Sequence, residues 1–289
     1  MMEEDPELNR TLICPPAQPA PSLPDLSRIW KPVPALAEFL ATPIVNPHQF
    51  KYVHNRQGIC QERQTNILFA IPSAPGNFRR RDKVRLSPLG EFVRNNSNMA
   101  TMLFFLGLPR FVGVKTQEVQ KTIDTESKKH NDVIQEDFTD VYKNIRLKAV
   151  FMLKWVSTYC FNVTYVIRVD DDVRINVQGV VEAVFRVGRN HKNFVLGNVT
   201  KFWKVNRDPL SKYYVSLEEY PGPTYPPLAQ GGMLAYPLRT VRLLYEASLR
   251  VRAVWLDDVY LTALCAPKVN ATLLGDLQFT FVHPKDEPS

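Results

Sequence analysis

A layered α/β domain is the fold class this sequence predicts, and three observations carry it. From about Asn66 onward, strand-like and helix-like segments alternate, as they do when helices cover a sheet. One apolar, β-branched run, Tyr165 to Val169 (Y-V-I-R-V), stops abruptly on three consecutive carboxylates, Asp170, Asp171 and Asp172. Finally, 289 residues with 45% hydrophobic and 22% charged side chains suffice to bury a sizeable core.

The first 50 residues hold ten of the 23 prolines, including P-P-A-Q-P-A-P-S-L-P from Pro15 to Pro24. Proline-dense sequence supports neither ladder nor helix, so residues 1–60 are expected to be a poorly ordered stem or linker and 61–289 the folded domain. In that domain Ile67 to Ile71 predicts a strand, and Phe78 to Arg94 a basic turn and helix. A strand over Met99 to Leu108 and a polar helix over Thr116 to His130 follow. Asp132 to Asp137 predicts a short strand, and Asp140 to about Cys160 a long helix. The Asp-ended strand leads to a helix from Gln178 to about Gly188 and a strand from Phe194 to Val199. A Pro/Gly/Tyr-rich loop spans Asp208 to Gln230. Beyond it are expected a strand near Met233, a helix from Leu238 to Arg250, a helix begun by Asp257 and Asp258, and a final strand from Leu273 to Phe281.

The formal net charge is +7, but the cations are scattered apart from Arg79-Arg80-Arg81 and nearby Lys83 and Arg85. Nucleic-acid binding calls for a longer basic stripe with interleaved aromatics, so no nucleic-acid partner is expected. A nucleotide diphosphate accounts for a local cluster equally well. Four cysteines (Cys14, Cys60, Cys160, Cys265) lie far apart without a C-x-x-C pair, which argues against zinc and leaves three disulfide connectivities open. Five N-x-S/T sequons, at Asn9, Asn95, Asn162, Asn198 and Asn270, together favour the secretory pathway. No signal peptide and no apolar run of about 18 residues is visible.

Three adjacent like charges repel, and burying one without a partner is costly. A cation is the natural compensation, and carboxylate oxygens suit Mg²⁺ or Mn²⁺, which also take oxygens from a substrate phosphate. Open α/β sheets bind ligands outside the carboxyl ends of their strands, where this triplet would sit. The plainer reading of an isolated D-x-D is a solvated acidic turn.

Other motifs fall at intervals around the triplet. They are S-A-P-G-N-F-R-R-R-D-K-V-R (Ser73 to Arg85), D-V-I-Q-E-D-F-T-D-V-Y-K-N-I-R-L-K (Asp132 to Lys148), S-K-Y-Y-V-S-L-E-E-Y-P-G-P-T-Y-P-P (Ser211 to Pro227), Q-G-G (Gln230 to Gly232) and W-L-D-D-V-Y (Trp255 to Tyr260). In this order the set resembles the β1,3-galactosyltransferases and β1,3-N-acetylglucosaminyltransferases of glycosyltransferase family 31, over roughly Asn66 to His283. The resemblance implies a GT-A fold, a Rossmann-like mixed sheet flanked by helices. It implies inverting hexosyl transfer from a UDP-sugar donor to a hydroxyl of a glycan on a glycoprotein or glycolipid, with Mn²⁺ or another divalent cation. Members are typically Golgi proteins with a membrane anchor; a Golgi-lumen location is the expectation, although no anchor is visible in this chain. Oligomeric state and donor sugar are not legible.

Carried over residue by residue, the resemblance makes Asp170 and Asp172 metal ligands, with His283 a third. Arg85, Asp137, Lys148 and Asp171 fall on the donor side. Gly231, Gly232, Trp255 and Asp257 fall on the acceptor side, and Asp258 is the base that deprotonates the acceptor hydroxyl. Asp257 stands where the family has Glu, Ser87-Pro88 where it has Thr-Trp, and Ala229-Gln230 where it has Cys-Ser. Simpler readings stand beside these: Asp257-Asp258 as a helix start, Lys148 as a surface lysine, Asp137 as a turn carboxylate, and Arg80 and Arg81 as a solvated helix face. Tyr220 and Tyr225 offer flat faces on which a sugar can stack, and Gly231 and Gly232 allow close backbone approach or a tight turn. A catalytically inactive relative, serving as a glycan-binding or chaperone-like scaffold, is the alternative function. Metal-dependent UDP-sugar hydrolysis separates the two.

Overall fold

In the computed structural model, which describes residues 34–110 and 113–281, one mixed sheet carries the architecture. Its strands are β1 (Tyr52–His54), β2 (Ile67–Pro72), β3 (Ala100–Leu108), β4 (Val133–Thr139), β5 (Tyr165–Val169), β6 (Phe194–Thr200), β7 (Leu228–Pro237) and β8 (Thr272–Gly275). Their order is β1-β4-β3-β2-β5-β7-β6-β8. β4, β3, β2 and β5 run parallel; β1 and β7 join them antiparallel, and β6 pairs antiparallel with β7 and parallel with β8.

Parallel neighbours need crossover connections, and the helices supply them on both faces. They are α1 (Pro34–Leu40), α2 (Ile59–Glu62), α3 (Phe78–Leu86), α4 (Pro88–Asn95), α5 (Val114–His130), α6 (Ile145–Tyr159), α7 (Val177–Asn190), α8 (Leu238–Ser248) and α9 (Ala266–Lys268). Strand side chains alternate between two cores. Leu68, Ala70 and Val166 pack with α6 and α8, whereas Phe69, Ile71 and Ile167 pack with α4 and α7. The parity matters for the site: Arg168 falls on the face of Val166, two residues before Asp170.

Several boundaries depart from expectation, each for a local reason. The folded body begins before residue 61. Leu36 is buried in the core, β1 extends the sheet beside β4, and buried His48 Nε2 lies 2.6 Å from Glu136 Oε2. The single helix expected over Phe78 to Arg94 breaks at Ser87, whose Oγ caps the next helix by accepting the Leu89 N–H at 3.2 Å, with Pro88 in its first turn. The Ser-Pro departure is therefore a helix punctuation. β4 runs on to Thr139, and α6 starts only at Ile145, after a 3₁₀ turn over Tyr142–Asn144. β8 is four residues long, because Asp276 caps a 3₁₀ turn (Leu277–Phe279) by accepting the Gln278 N–H. Cys60 and Cys160 form a disulfide, and Cys265 is a buried thiol. The bridge closes 100 residues of chain, worth about 4–5 kcal/mol in unfolded-state entropy. Asn9, Cys14 and His283 lie outside the described residues. Among the described residues, no helix is long and apolar enough to cross a membrane.

Candidate active site

Parallel pairing of β2 with β5, in the register Ala70 to Arg168, brings the carboxyl ends of both strands side by side. Ser73 follows β2 and Asp170 to Asp172 follow β5, so the two meet. Ser73 Oγ donates to Asp171 Oδ2 at 2.6 Å, and Asn77 Nδ2 donates to the same oxygen at 2.9 Å. Arg80 Nη1, from α3, bridges Asp171 Oδ1 (3.2 Å) and Asp172 Oδ2 (2.8 Å). Both oxygens of Asp171 are thus held by protein donors, which makes it the fixed member of the triplet. Lys148 Nζ donates to the Ser73 carbonyl at 2.7 Å and pairs with Asp140 at 2.8 Å, so a buried lysine of α6 underlies the β2 end. It is not a surface lysine.

A cation inside the sheet organises the rest. Arg168 is 3% exposed and sends Nη2 to Asp170 Oδ1 (3.3 Å) and Nη1 to Asp257 Oδ2 (2.5 Å). Burial opposes its charge, but the carboxylates of Asp257 and Asp170 outweigh that and hold the guanidinium firmly protonated. The Asp257 side chain, one methylene shorter than a glutamate, reaches the arginine. The strand end and the Asp257-Asp258 segment are therefore joined through one buried side chain.

Asp258 opens a helical segment whose turns are π-helical over Val259–Cys265. Its Oδ1 accepts the Val259 N–H at 2.7 Å, so the carboxylate is a helix cap, the simpler of the two sequence readings of this pair. Burial first, and then the neighbouring charge of Asp257, push the Asp258 carboxyl up to about 6, against N–H bonds from Val259 and Gly231 and the nearby Arg168. Thr262 Oγ1 donates to the Asp258 carbonyl at 2.6 Å and accepts the Ala229 N–H at 3.0 Å, tying the segment to β7.

Gly231 and Gly232 sit within β7, not in a turn, because the strand starts at Leu228. A Cβ on Gly231 would stand 3.4 Å from the Asp258 Cβ, and the Gly232 carbonyl accepts the Asp170 N–H at 3.0 Å. Of the two, Gly232 is the one that depends on its missing side chain, since a Cβ there would run into the Phe281 ring. Trp255 is buried, donating Nε1 to the Tyr214 carbonyl at 3.0 Å, while Lys143 Nζ stands 3.7 Å above its ring. Tyr142 packs edge-on against Trp255, and burial, then Tyr213, then the charges of Asp257 and Asp258 raise its pKa.

Other expectations fail on contact geometry. Arg85 is buried and engaged by Asp82, Glu126 and Asp132. Glu126 also holds Arg81, whose Nη1 reaches Ser73 Oγ at 3.1 Å, so this network meets the triplet through Ser73. Arg80 takes the place expected for it. Arg81 is fully buried, bound to Glu126 at 2.7 Å, rather than solvated. Asp137 is exposed on β4 and accepts the Lys51 N–H beside β1, so Asp140 three residues later is the carboxylate that meets Lys148. Tyr225 is buried against Tyr220 in a small core under the 200s loop, so its ring face is unavailable for stacking. The groups missed by sequence reasoning are Ser73, Asn77, Arg80, Asp140 and Arg168. Arg168 had a signal: a lone cation in an otherwise apolar strand must find a buried anion.

The donor set fits a divalent cation. Burial, with Asp257 and Asp172 adding and Arg168 opposing, pushes the Asp170 carboxyl up to about 7, a sign of excess negative charge in a desolvated place. Hard carboxylate oxygens on Asp170 and Asp172, with Asp171 tied back, suit Mn²⁺ or Mg²⁺ sharing ligands with a diphosphate. Among the described residues no cluster of three or more His, Cys, Asp or Glu side chains is gathered to hold a metal ion.

A strand-end carboxylate triplet and a helix-capping acid thus lie beside one glycine-bearing strand. The family model for galactosyltransferases matches residues 79–274, and the chain belongs to that family, glycosyltransferase family 31. It is 32% identical over 227 residues to lactosylceramide 1,3-N-acetyl-beta-D-glucosaminyltransferase from Homo sapiens, covering 77% of this chain and 59% of that protein. It is 27% identical to beta-1,3-galactosyltransferase 2 from Homo sapiens, covering 78% of this chain and 52% of that protein. The chain thus spans between half and three fifths of the length of these relatives. Among solved structures, a mannosyltransferase from Pyrobaculum calidifontis, in complex with GDP-Man and Mn²⁺, superposes with a TM-score of 0.42 at 10% identity, covering 87% of this chain and 64% of that one. A likeness of that size carries no chemistry across.

Proposed function

We propose that this chain is an inverting, metal-dependent hexosyltransferase that moves galactose or N-acetylglucosamine from a UDP-sugar to a glycan hydroxyl in β1,3 linkage. The observation that carries the reading is the Arg168 link, which puts the carboxylate triplet and the Asp257-Asp258 pair in one electrostatic unit. Asp170 and Asp172 would hold the cation, which when bound would offset negative charge on the departing diphosphate. Lys148, through Ser73, and Arg80, through Asp171 and Asp172, shape the donor side. Asp258 takes the proton of the acceptor hydroxyl as its oxygen bonds to the anomeric carbon, while the carbon–oxygen bond to UDP breaks on the opposite face with its electron pair leaving on the phosphate. A carboxyl with a pKa of about 6 is ionised at neutral pH, yet more basic than an ordinary aspartate. Gly231 lies beside Asp258, and the charge of Asp257 adds to the basicity of the Asp258 carboxylate.

The test is UDP release from a panel of UDP-sugars with and without Mn²⁺. One donor is expected to be turned over only with metal, and Asp172→Ala to lower the rate by two orders of magnitude or more. If UDP and Mn²⁺ fail to bind at all, the inactive-scaffold alternative replaces the enzyme.

We place the protein in the Golgi lumen. Support comes from the Cys60–Cys160 disulfide, which needs an oxidising compartment, and from the exposure of the Asn95, Asn162 and Asn270 sequons. Asn198 is different: it is only partly exposed and lies within strand β6, with its amide donating to Gln230 Oε1 at 2.8 Å. Expression through a secretory pathway should therefore add endoglycosidase-sensitive glycans at the three exposed sites. Peptide mass mapping should find Asn198 bare.

A further inference from the structure

α3 opens against the usual rule for a helix start. It begins Phe78-Arg79-Arg80-Arg81, with no acid in its first turn, although the positive end of a helix favours carboxylates and disfavours cations. Arg81 is compensated by burial against Glu126, and Arg80 by reaching Asp171 and Asp172 at the neighbouring strand end. A local rule broken beside a candidate site points to a role for the residue that breaks it.

Four cations are joined to this end of the sheet, and three of them are fixed. Arg168 is buried and shared between Asp170 and Asp257. Lys148 is buried between Asp140 and the Ser73 carbonyl. Arg81 is buried among Glu126, the Ser73 hydroxyl and the Ala74 carbonyl. Each of these three has an anion outside the triplet. Arg80 differs on both counts: its side chain is 45% exposed, and its ion pairs are to Asp171 and Asp172 themselves. A half-exposed pair of this kind is weak and exchanges readily.

Arg80 Nη1 holds Asp172 Oδ2 at 2.8 Å, its closer contact of the two. Asp172 is also one of the two carboxylates assigned to the divalent cation, and two positive charges on one carboxylate repel. Asp171 does not depend on Arg80, since Ser73 Oγ and Asn77 Nδ2 both donate to its other oxygen. The guanidinium can therefore leave without loosening the triplet. A diphosphate drawn in with the ion presents it with paired oxygens, the geometry that a guanidinium binds best.

We propose that Arg80 is an exchangeable counter-ion of the site: it pairs with Asp172, yields that carboxylate to the divalent cation, and turns to the diphosphate of the nucleotide. The proposal rests on the transferase reading, which supplies both ligands. It makes ion and nucleotide bind cooperatively, because together they displace and re-engage a side chain that the ion alone must displace at a loss.

The test is binding, not turnover, on the 289-residue chain. Mn²⁺ affinity is read by electron paramagnetic resonance without nucleotide, and UDP affinity by calorimetry at saturating Mn²⁺. Arg80→Gln should bind Mn²⁺ about two- to fivefold more tightly, the yield of removing a partly exposed ion pair. It should bind UDP about tenfold more weakly, the loss of one charge-assisted contact. Arg80→Lys should recover most of the UDP affinity, because an ammonium still meets a phosphate as a point charge. Arg79→Gln removes the same charge from an exposed neighbour on the helix and should change either affinity by less than about twofold. If Arg80→Gln weakens both ligands, Arg80 is a fixed support of the triplet and the proposal falls. Tighter Mn²⁺ with unchanged UDP overturns the transfer to the diphosphate, and equal effects of Arg79→Gln and Arg80→Gln reduce it to net charge. A wild type that binds neither ligand ends the transferase reading and this proposal with it. A wild type that binds both, with Arg80→Gln indistinguishable from it, ends the proposal alone.

Discussion

Asp258→Asn is expected to lower the transfer rate by about two to four orders of magnitude, the range over which a positioned base acts. Asparagine keeps the shape and can still cap the helix by accepting the Val259 N–H, so folding and UDP binding should survive. The measurement is steady-state UDP release with acceptor, beside UDP affinity by calorimetry; loss of both would make Asp258 a structural cap only. The wild-type pH profile supplies a second reading. Burial and Asp257 push the Asp258 carboxyl up to about 6, and a base works only when ionised. At saturating divalent cation, kcat/KM should therefore fall as pH drops through about 6, not near 4 as for an ordinary aspartate. The stability consequence has the opposite sign. A folded-state pKa above the unfolded value means the folded state holds its proton more tightly, so this group's contribution to stability is greatest in acid and declines as pH rises from about 4 toward 6.

Arg168→Met should destabilise the fold by about 3–5 kcal/mol, because it leaves Asp170 and Asp257 facing each other in a desolvated interior without their cation. Methionine approximates the arginine stem, so the loss is one of charge more than packing. Combining it with Asp257→Asn removes one of the stranded charges, and the double variant should recover part of the loss. Urea denaturation of the four proteins of that cycle gives the coupling directly; additive losses would mean the two side chains are independent. Arg168→Lys should fall between, since one ammonium cannot span both carboxylates as a guanidinium does.

The chemistry of the site was legible where adjacency in sequence meant adjacency in space. Asp170 to Asp172 follow a β-branched run, and a strand end is where such a triplet must lie whatever its partners. Asp257 and Asp258 were legible as a helix start, and the cap bond of Asp258 bears that reading out; the base is the role proposed for the same carboxylate. Gly231 and Gly232 were left open between close approach and a tight turn because glycine reads as punctuation, whereas both lie within β7. Arg85 and Arg80 show the limit most sharply. They stand five residues apart on one helix, yet one turns into an ion-pair network with Glu126 and Asp132 while the other crosses to Asp171 and Asp172. Helical spacing alone does not say which face meets which strand. The proline-dense start misled for a related reason: Leu36, His48 and β1 have weak local propensity and gain their structure from the core and sheet edge they join.

From sequence alone came the alternation of strands and helices, the family, the carboxylate triplet and the acid that answers it. These depend on local pattern and on residue types whose chemistry admits few uses. Only the tertiary structure decided that Arg168 links the two acidic segments, that Lys148 is buried under Ser73, that Asp140 rather than Asp137 meets it, and that Cys60 pairs with Cys160. Each of these joins residues far apart along the chain. Their meeting is set by strand order and register, which arise from burying both faces of the sheet at once and cannot be read from any one segment.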